Sequence, residues 1–183
     1  MKRSRFLFLA VIIIAAGIFI SKKPIQKFLY PVKYEKQVFE ASKEFDVPPE
    51  LVFAVIRTES SFRPEAVSHM DAHGLMQITY DTFQWAKEKL HGKETYDDIF
   101  SPDVNIRYGT FILSYLIEDF ESEQVALAAY NAGRGNVKKW LADEEFSHDG
   151  ETLHHIPFKE TREYVVKVEK SKDAYIKLYP DIF

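Results

Sequence analysis

Glu59 is the residue of this 183-residue chain whose position most favours chemistry. Leu51, Val55 and Glu59 follow one another at intervals of four, so they share one face of a helix predicted from about residue 49 to 60. That face is otherwise apolar, and a carboxyl group on it is desolvated unless it is paired. Desolvation favours the protonated form and raises the pKa, as a general acid at neutral pH requires. A glutamate paired with a buried arginine, or capping a neighbouring helix, would explain the same pattern.

Two further motifs place glycine beside residues that could contact a ligand. Residues 74–77 (GLMQ) lie between a polar loop and a predicted helix, where a glycine lets the backbone approach a ligand closely. Residues 129–133 (AYNAG) end another predicted helix, and their small side chains leave room around Tyr130 and Asn131. An ordinary turn explains the first motif equally well, and a glycine helix cap explains Gly133 in the second.

The elements that must position these residues are predicted to be helical. Apolar residues recur at helical spacing, for example at 104, 108, 111, 112, 115 and 116, and no alternating strand pattern is present. Proline and glycine set the boundaries, as at Pro49, Pro102 and Gly133. The predicted helices cover about 34–45, 49–60, 81–90, 123–131, 136–142 and 161–178, with a long one that opens at 101–103 and continues at least to 116. The sequence therefore predicts an all-α domain of about 145 residues.

Composition excludes several classes of function. The chain has no cysteine, which rules out disulfides, cysteine-ligated zinc and thiol nucleophiles. Seven Lys and Arg residues precede the first acidic residue, Glu35, and the remainder holds 17 basic against 28 acidic residues. Such an acidic body is a poor match for a phosphate backbone, so we expect no nucleic-acid partner.

The head of the chain is apolar and flanked by basic residues. Residues 6–20 contain no polar side chain and would span about 22 Å as a helix, against a hydrocarbon core of about 30 Å. Small residues lie inside this run rather than after it, which favours an uncleaved membrane anchor over a cleaved signal peptide. We therefore predict an anchor or signal segment at 1–20, a linker at 21–34 and a catalytic domain at 35–183, outside the cytoplasm.

Several motifs occur in a fixed order along the chain: Glu59-Ser60, residues 74–77, Asn105-Ile106 with Gly109, residues 129–133, Ile156-Pro157, Glu160-Thr161-Arg162 and Tyr164-Val165. In order and spacing they resemble the soluble lytic transglycosylase (SLT) family of peptidoglycan-cleaving enzymes, over about residues 34–179. The resemblance implies a lysozyme-like fold of the goose-lysozyme type. It also implies cleavage of the β-1,4 bond between N-acetylmuramic acid and N-acetylglucosamine.

The resemblance further implies a single catalytic glutamate, which maps onto Glu59. This residue would protonate the glycosidic oxygen and then act as base on the C6 hydroxyl of the same sugar, which closes onto C1 and leaves a 1,6-anhydro end. The usual second carboxylate of glycosidases is then unnecessary. Accordingly, we interpret Glu65 and Asp71 as solvated loop charges.

The remaining site residues are carried over position by position. Ser68 and Gln77 match residues that contact the sugar, and Glu160 matches an acid near the sugar or its peptide. Tyr130 matches a tyrosine expected to orient Glu59 by a hydrogen bond. Two more residues complete the predicted substrate-binding set: Asn131, expected to support the site from behind, and Met76, as a core residue or a contact.

We expect no metal and no cofactor. His69, Asp71 and His73 could suggest a metal site, but the family's chemistry needs none. The expected partners are glycan strands of peptidoglycan, together with the membrane through the N-terminal segment. The expected location is the cell membrane, single-pass, with the domain facing the wall; secretion after signal cleavage is the alternative.

Two departures from the family pattern bear on subsite shape and affinity, and two other functions remain as alternatives. The family often has a glycine at the position of Asp71 and a substrate-contacting methionine at the position of Thr79. One alternative is a hydrolase that uses water instead of the C6 hydroxyl. The other is a wall-binding protein without enzymatic activity.

Overall fold

The computed structural model describes residues 24–183, and the predicted anchor at 6–20 lies outside the described residues. Within 24–183 the only β pairing consists of two isolated bridges, Val67 with His73 and His73 with Ile78, so the all-α prediction is confirmed. No helix in this part of the chain is long and apolar enough to cross a membrane. After a helical segment at 24–29, the elements are α1 (Glu35–Phe45), α2 (Pro49–Ser60), α3 (Tyr80–Leu90), a 3₁₀ helix (Tyr96–Phe100), α4 (Pro102–Phe120), α5 (Glu123–Ala132), α6 (Arg134–Leu141) and α7 (Lys159–Leu178).

The helix boundaries follow local chemistry. Helices α2 and α4 begin with proline at their first position, where the missing N–H costs no hydrogen bond. Helix α5 begins after Ser122, whose hydroxyl accepts from the Val125 N–H, and ends at Gly133, which has a φ of 88°. These local rules explain why most predicted boundaries agree with the structure to within a residue or two.

Helix α2 is the centre of the core. Its residues 51–56 are fully buried, as is typical of a helix surrounded on all sides. It packs along α7 and also contacts α1, while α4 packs against α1 and α5. The end of α2, where Glu59 lies, is therefore held by helices on several sides.

The second half of the predicted linker is in contact with the domain. Residues 24–29 are helical, and Tyr30 and Val32 pack against the core. The carbonyl oxygens of Tyr30 and Pro31 accept hydrogen bonds from tyrosines of the C-terminal region, at 2.8 and 3.0 Å. These residues therefore have a defined place on the domain surface.

Candidate active site

A groove with a volume of about 660 Å³ opens at the end of α2. Its lining comes from α2, α3, α4, α5, the start of α6, the start of α7, and the segment 68–79 that connects α2 to α3. Six of the seven site residues predicted from the sequence line it: Glu59, Ser68, Gln77, Tyr130, Asn131 and Glu160.

Glu59 lies in the last turn of α2 and is partly buried in the groove. Leu51 and Val55, on the same helix face, are fully buried. Burial raises the pKa of Glu59 to about 7, a contact with Tyr164 partly opposes the rise, and the charge of Glu160 adds to it. Desolvation is therefore the dominant cause, as the helix pattern predicted.

Tyr164 was not predicted as a functional residue, although Tyr164-Val165 contributed to the family resemblance. It lies on α7, is 6% exposed, and faces Glu59. Its hydroxyl forms no well-aligned hydrogen bond to any residue between 24 and 183, so its interaction with the Glu59 carboxyl is a polar contact of imperfect geometry. A buried hydroxyl without a better partner favours the ionised carboxylate, which is why it lowers the pKa of Glu59.

Tyr130 corrects one prediction. Its hydroxyl donates to the backbone carbonyl of Met76 at 2.8 Å and not to Glu59. A hydroxyl has a single proton to donate, so Tyr130 holds the turn after α2 instead of orienting the carboxylate by that bond. Tyr130 still lines the groove, and the negative charge of Glu59 contributes, after burial, to a pKa of Tyr130 well above its usual value.

The turn at residues 74–77 is held by Asn105, which is fully buried on α4. Its side-chain oxygen accepts from the Met76 N–H at 2.7 Å, and its NH₂ group donates to the carbonyls of His73 and Ile99 at 3.0 and 2.8 Å. Gly74 has a φ of 80°, and a Cβ there would lie 2.1 Å from the Asn105 side chain. The turn therefore requires glycine for both conformation and space.

Met76 was predicted as a core residue or a contact, and the structure places it in the core. It is fully buried and does not line the groove. A Cβ on Gly109 would lie 2.4 Å from the Met76 sulfur, so glycine lets the thioether pack directly on the backbone of α4. The contribution of Met76 to the site comes from its backbone, which bonds to Tyr130 and Asn105.

Gln77 and Ser68 present polar atoms to the groove in defined orientations. The Gln77 side-chain NH₂ donates to the carbonyls of Ala66 and Gly74, at 3.1 and 2.8 Å, which leaves its carbonyl oxygen to accept from a ligand. The Ser68 oxygen accepts from the N–H groups of Met70 and Ala72, so its proton remains available for donation. Together they offer one acceptor and one donor.

Asn131 links α5 to α7 at the groove, where Glu160 also lies. The Asn131 side-chain oxygen accepts from the Thr161 hydroxyl at 2.8 Å, consistent with the predicted supporting role. Glu160 is an exposed residue in the first turn of α7. Its charge acts on Glu59 through space, whereas its own carboxyl faces solvent.

The segment around Asp71 keeps its turn despite the departure from glycine. Asp71 has a φ of 56°, a region open to glycine and tolerated by Asp. Its carboxylate bonds to His73 at 2.9 Å, and the His73 ring stacks near Tyr96 and Phe100. In the part of the chain that the structure describes, no three His, Asp or Glu side chains are grouped as metal ligands.

An aromatic surface that was not predicted from the sequence also lines the groove. Trp85 of α3 and Tyr115 of α4 contact each other edge to face, with ring centroids 4.8 Å apart. Arg134 lies beside Tyr115 and bonds to both carboxylate oxygens of Asp119. Tyr115 had been assigned to the apolar stripe of its helix, because spacing alone does not separate core aromatics from aromatics that face a groove.

Comparisons with known proteins agree with this architecture. Residues 36–152 match the family described as the transglycosylase SLT domain. The chain is 31% identical over 154 residues to the soluble lytic murein transglycosylase of Escherichia coli K12, covering 82% of this chain and 24% of that protein. It is 33% identical over 167 residues to the membrane-bound lytic murein transglycosylase C of Salmonella arizonae, covering 78% and 46%.

A solved structure gives the same result for the fold. The lytic transglycosylase Slt of Pseudomonas aeruginosa, solved as an inactive glutamate-to-glutamine mutant, superposes with a TM-score of 0.71 at 32% identity, covering 81% of this chain and 24% of that one. The chain thus spans about a quarter of the length of the Escherichia coli and Pseudomonas proteins and about half of the Salmonella protein. The match to the SLT domain extends over most of the described residues, so this chain belongs to the transglycosylase SLT domain family.

Proposed function

We propose that this chain is a lytic transglycosylase that cleaves the β-1,4 bond between N-acetylmuramic acid and N-acetylglucosamine in peptidoglycan. The observation that carries the proposal is the position of Glu59 in a groove where burial raises its pKa to about 7. A carboxyl group with that pKa is partly protonated at neutral pH, so it can give a proton and later take one back.

Glu59 acts first as the general acid. It protonates the glycosidic oxygen, and the bond to C1 of the muramic sugar breaks. The resulting carboxylate then removes the proton from the C6 hydroxyl of that sugar, whose oxygen bonds to C1 and forms a 1,6-anhydro end. The proton count balances over the cycle, because Glu59 regains from the C6 hydroxyl the proton that it gave to the glycosidic oxygen and is protonated again at the end.

Other groove residues position the glycan. The carbonyl oxygen of Gln77 accepts from a sugar hydroxyl or N-acetyl N–H, and Ser68 donates to a sugar oxygen, because each has its other polar groups engaged with the backbone. Trp85 and Tyr115 offer apolar rings against which a sugar face packs. Glu160 remains solvated and assists only through its charge.

The proposal includes attachment to the cell membrane through residues 6–20, with the catalytic domain facing the wall. Its support is the uninterrupted apolar run with flanking basic residues, together with a relative that is named as membrane-bound. The mass of the mature protein tests this part. Loss of residues 6–20 would indicate a cleaved signal peptide and a secreted enzyme.

The mass of the product tests the reaction. Purified peptidoglycan is digested with the protein, and the released muropeptides are weighed. Products with anhydro ends are lighter by one water than those with reducing ends, so the expected result is the lighter product. Reducing ends would identify a hydrolase that uses water, and binding to peptidoglycan without release of fragments would identify a wall-binding protein.

A further inference from the structure

The helical segment at residues 24–29 presents an exposed apolar face. Ile25, Phe28 and Leu29 are 59, 82 and 52% exposed, and their spacing of three and four residues places them on one side of the helix. Exposed large apolar side chains grouped in this way mark a contact surface. The contact is not with the domain, because the described residues of the domain leave these side chains in solvent.

The other side of the same segment is bound to the domain through polar contacts. The Arg57 side chain donates to the Leu29 carbonyl at 2.8 Å and lies over the Tyr30 ring at 3.9 Å. The hydroxyls of Tyr179 and Tyr175 donate to the next two carbonyls along the chain, at 2.8 and 3.0 Å. Residues 24–32, which we call the strap, are therefore held by α2 and the C-terminal region together.

The position of the strap in the chain identifies what its apolar face contacts. The apolar run ends at Ile20, and the four residues from there to Pro24 reach at most about 14 Å when extended. If the run occupies a bilayer, the strap begins at or near the headgroup layer. Lys22 and Lys23 precede it, a charge pattern suited to anionic lipid headgroups, whereas the Lys27 ammonium lies over the Tyr179 ring at 4.9 Å and faces the domain.

We infer that the strap lies in the interface of an anionic phospholipid membrane, with Ile25, Phe28 and Leu29 inserted, and holds the catalytic domain in one orientation. This inference rests on the proposed membrane attachment but not on the proposed reaction. Arg57 and Glu59 are two residues apart on α2, about 200° around the helix. The strap contact and the catalytic carboxyl thus lie on nearly opposite faces of α2, and the groove is turned away from the strap.

The absence of cysteine permits a direct test. In the full chain, the substitution Phe28→Cys introduces one cysteine, to which a single environment-sensitive fluorophore is attached. The matched control carries the same fluorophore on Glu144→Cys, in an exposed loop after α6. Both proteins are reconstituted in vesicles of phosphatidylglycerol and phosphatidylethanolamine. We expect blue-shifted emission at position 28 and quenching by spin-labelled lipid several-fold stronger than at position 144.

Three other results would overturn the inference. If the protein floats with the vesicles but position 28 is as accessible to a water-soluble quencher as position 144, the membrane attachment stands and the strap contact does not. If the protein does not float with vesicles, both fail, while the digest of peptidoglycan still tests the reaction. If position 28 is shielded without lipid in a concentration-dependent way, a second copy of the chain covers the face.

A second measurement tests the fixed orientation. Energy transfer from a fluorophore at position 144 to acceptors in the lipid surface reports one narrow distribution of distances if the strap holds the domain. Tyr175→Phe combined with Tyr179→Phe keeps both rings but removes the two hydrogen bonds to the strap. We expect the distribution to broaden in this variant; a broad distribution in the unmodified chain, or no change in the variant, would contradict a rigid strap.

Discussion

Two sides of the groove differ in how they are built. The acid side, formed by Glu59 and Glu160 on the mutually packed helices α2 and α7, contains a carboxyl whose pKa is changed by burial. The aromatic side, formed by Trp85 and Tyr115 on α3 and α4, contains partly exposed rings in contact with each other. On the acid side, burial changes the pKa of a carboxyl group. On the aromatic side, the rings provide an apolar surface that a ligand can contact.

The difference follows from packing. Helix α2 is surrounded by other helices, so a polar group at its end is desolvated. Helix α3 packs mainly on α4 and the 3₁₀ helix, so one of its faces remains open to the groove. We therefore expect substitutions on the acid side to change the rate of bond cleavage, and substitutions on the aromatic side to change affinity for glycan.

The largest expected effect is the loss of catalysis in Glu59→Gln. The amide has nearly the same shape but cannot exchange the proton, so we expect kcat to fall by roughly 10³-fold or more. Release of soluble muropeptides from purified peptidoglycan measures it. Glu65→Gln, an exposed loop residue six positions later, is the matched control and should retain full activity. Full activity in Glu59→Gln would remove the distinction between the two sides of the groove.

The same variant should be more stable than the unmodified protein at alkaline pH. The pKa of Glu59 is raised from 4.5 to about 7 in the folded protein, so the folded state binds the proton more tightly than the unfolded state does. The contribution of this proton binding to the free energy of unfolding is thus fully present below pH 4.5 and is lost as pH rises to about 7. By linkage the loss is at most about 3 kcal/mol.

Chemical denaturation at two pH values measures this effect. The stability gained by Glu59→Gln, expressed as a free energy of unfolding, should be larger at pH 8 than at pH 4 by up to about 3 kcal/mol. Glu65→Gln should show no such pH dependence. An equal difference at both pH values would mean that the carboxyl is not desolvated and would weaken the contrast between the two sides.

On the aromatic side, Trp85→Ala should raise KM with little change in kcat. Loss of ring contacts is worth about 0.5–1.5 kcal/mol, which corresponds to an increase in KM of up to roughly tenfold. Trp85→Phe retains a ring and should restore most of the affinity. A fall in kcat at unchanged KM would show that Trp85 affects bond cleavage, as residues of the acid side do, and would contradict this prediction. A thermal melt of each variant checks that folding is preserved.

The smallest expected effect is a shift of the pH profile in Tyr164→Phe. The contact with Tyr164 lowers the pKa of Glu59, so removal of the hydroxyl should raise this pKa further. Because the general acid must be protonated, the alkaline limb of the rate profile should move to higher pH. Tyr130→Phe, which loses a bond to the Met76 carbonyl, should mainly lower stability. A shift toward acid pH in Tyr164→Phe would contradict the assigned contact.

Much of the fold could be predicted because its determinants are local. Proline at the first helical position and glycine after the last are visible in the sequence, and the structure places α2 and α5 within a residue of the predicted bounds. The position of Glu59 on an apolar face was visible as well, since it depends only on helical periodicity. Its raised pKa follows from that face being buried.

The parts of the site that were missed depend on contacts between distant segments. Tyr130 and Tyr164 are both tyrosines in motifs that match the family, and nothing in their spacing shows which hydroxyl faces Glu59. Helix packing decides this, because α5 turns Tyr130 toward the Met76 carbonyl and α7 turns Tyr164 toward the carboxyl. Met76 was ambiguous for the same reason, until its contact with Gly109 placed it in the core.

The sequence by itself determined the helices, the family and the position of Glu59 on an apolar helix face, because periodicity and motif order are properties of the chain. The tertiary structure alone decided which hydroxyl contacts the carboxyl, which aromatic rings face the groove, and that residues 24–32 bind the domain through Arg57 and two tyrosines. The physical reason is that desolvation and hydrogen bonding depend on distances between segments up to 149 residues apart. Only the packing of the helices sets those distances.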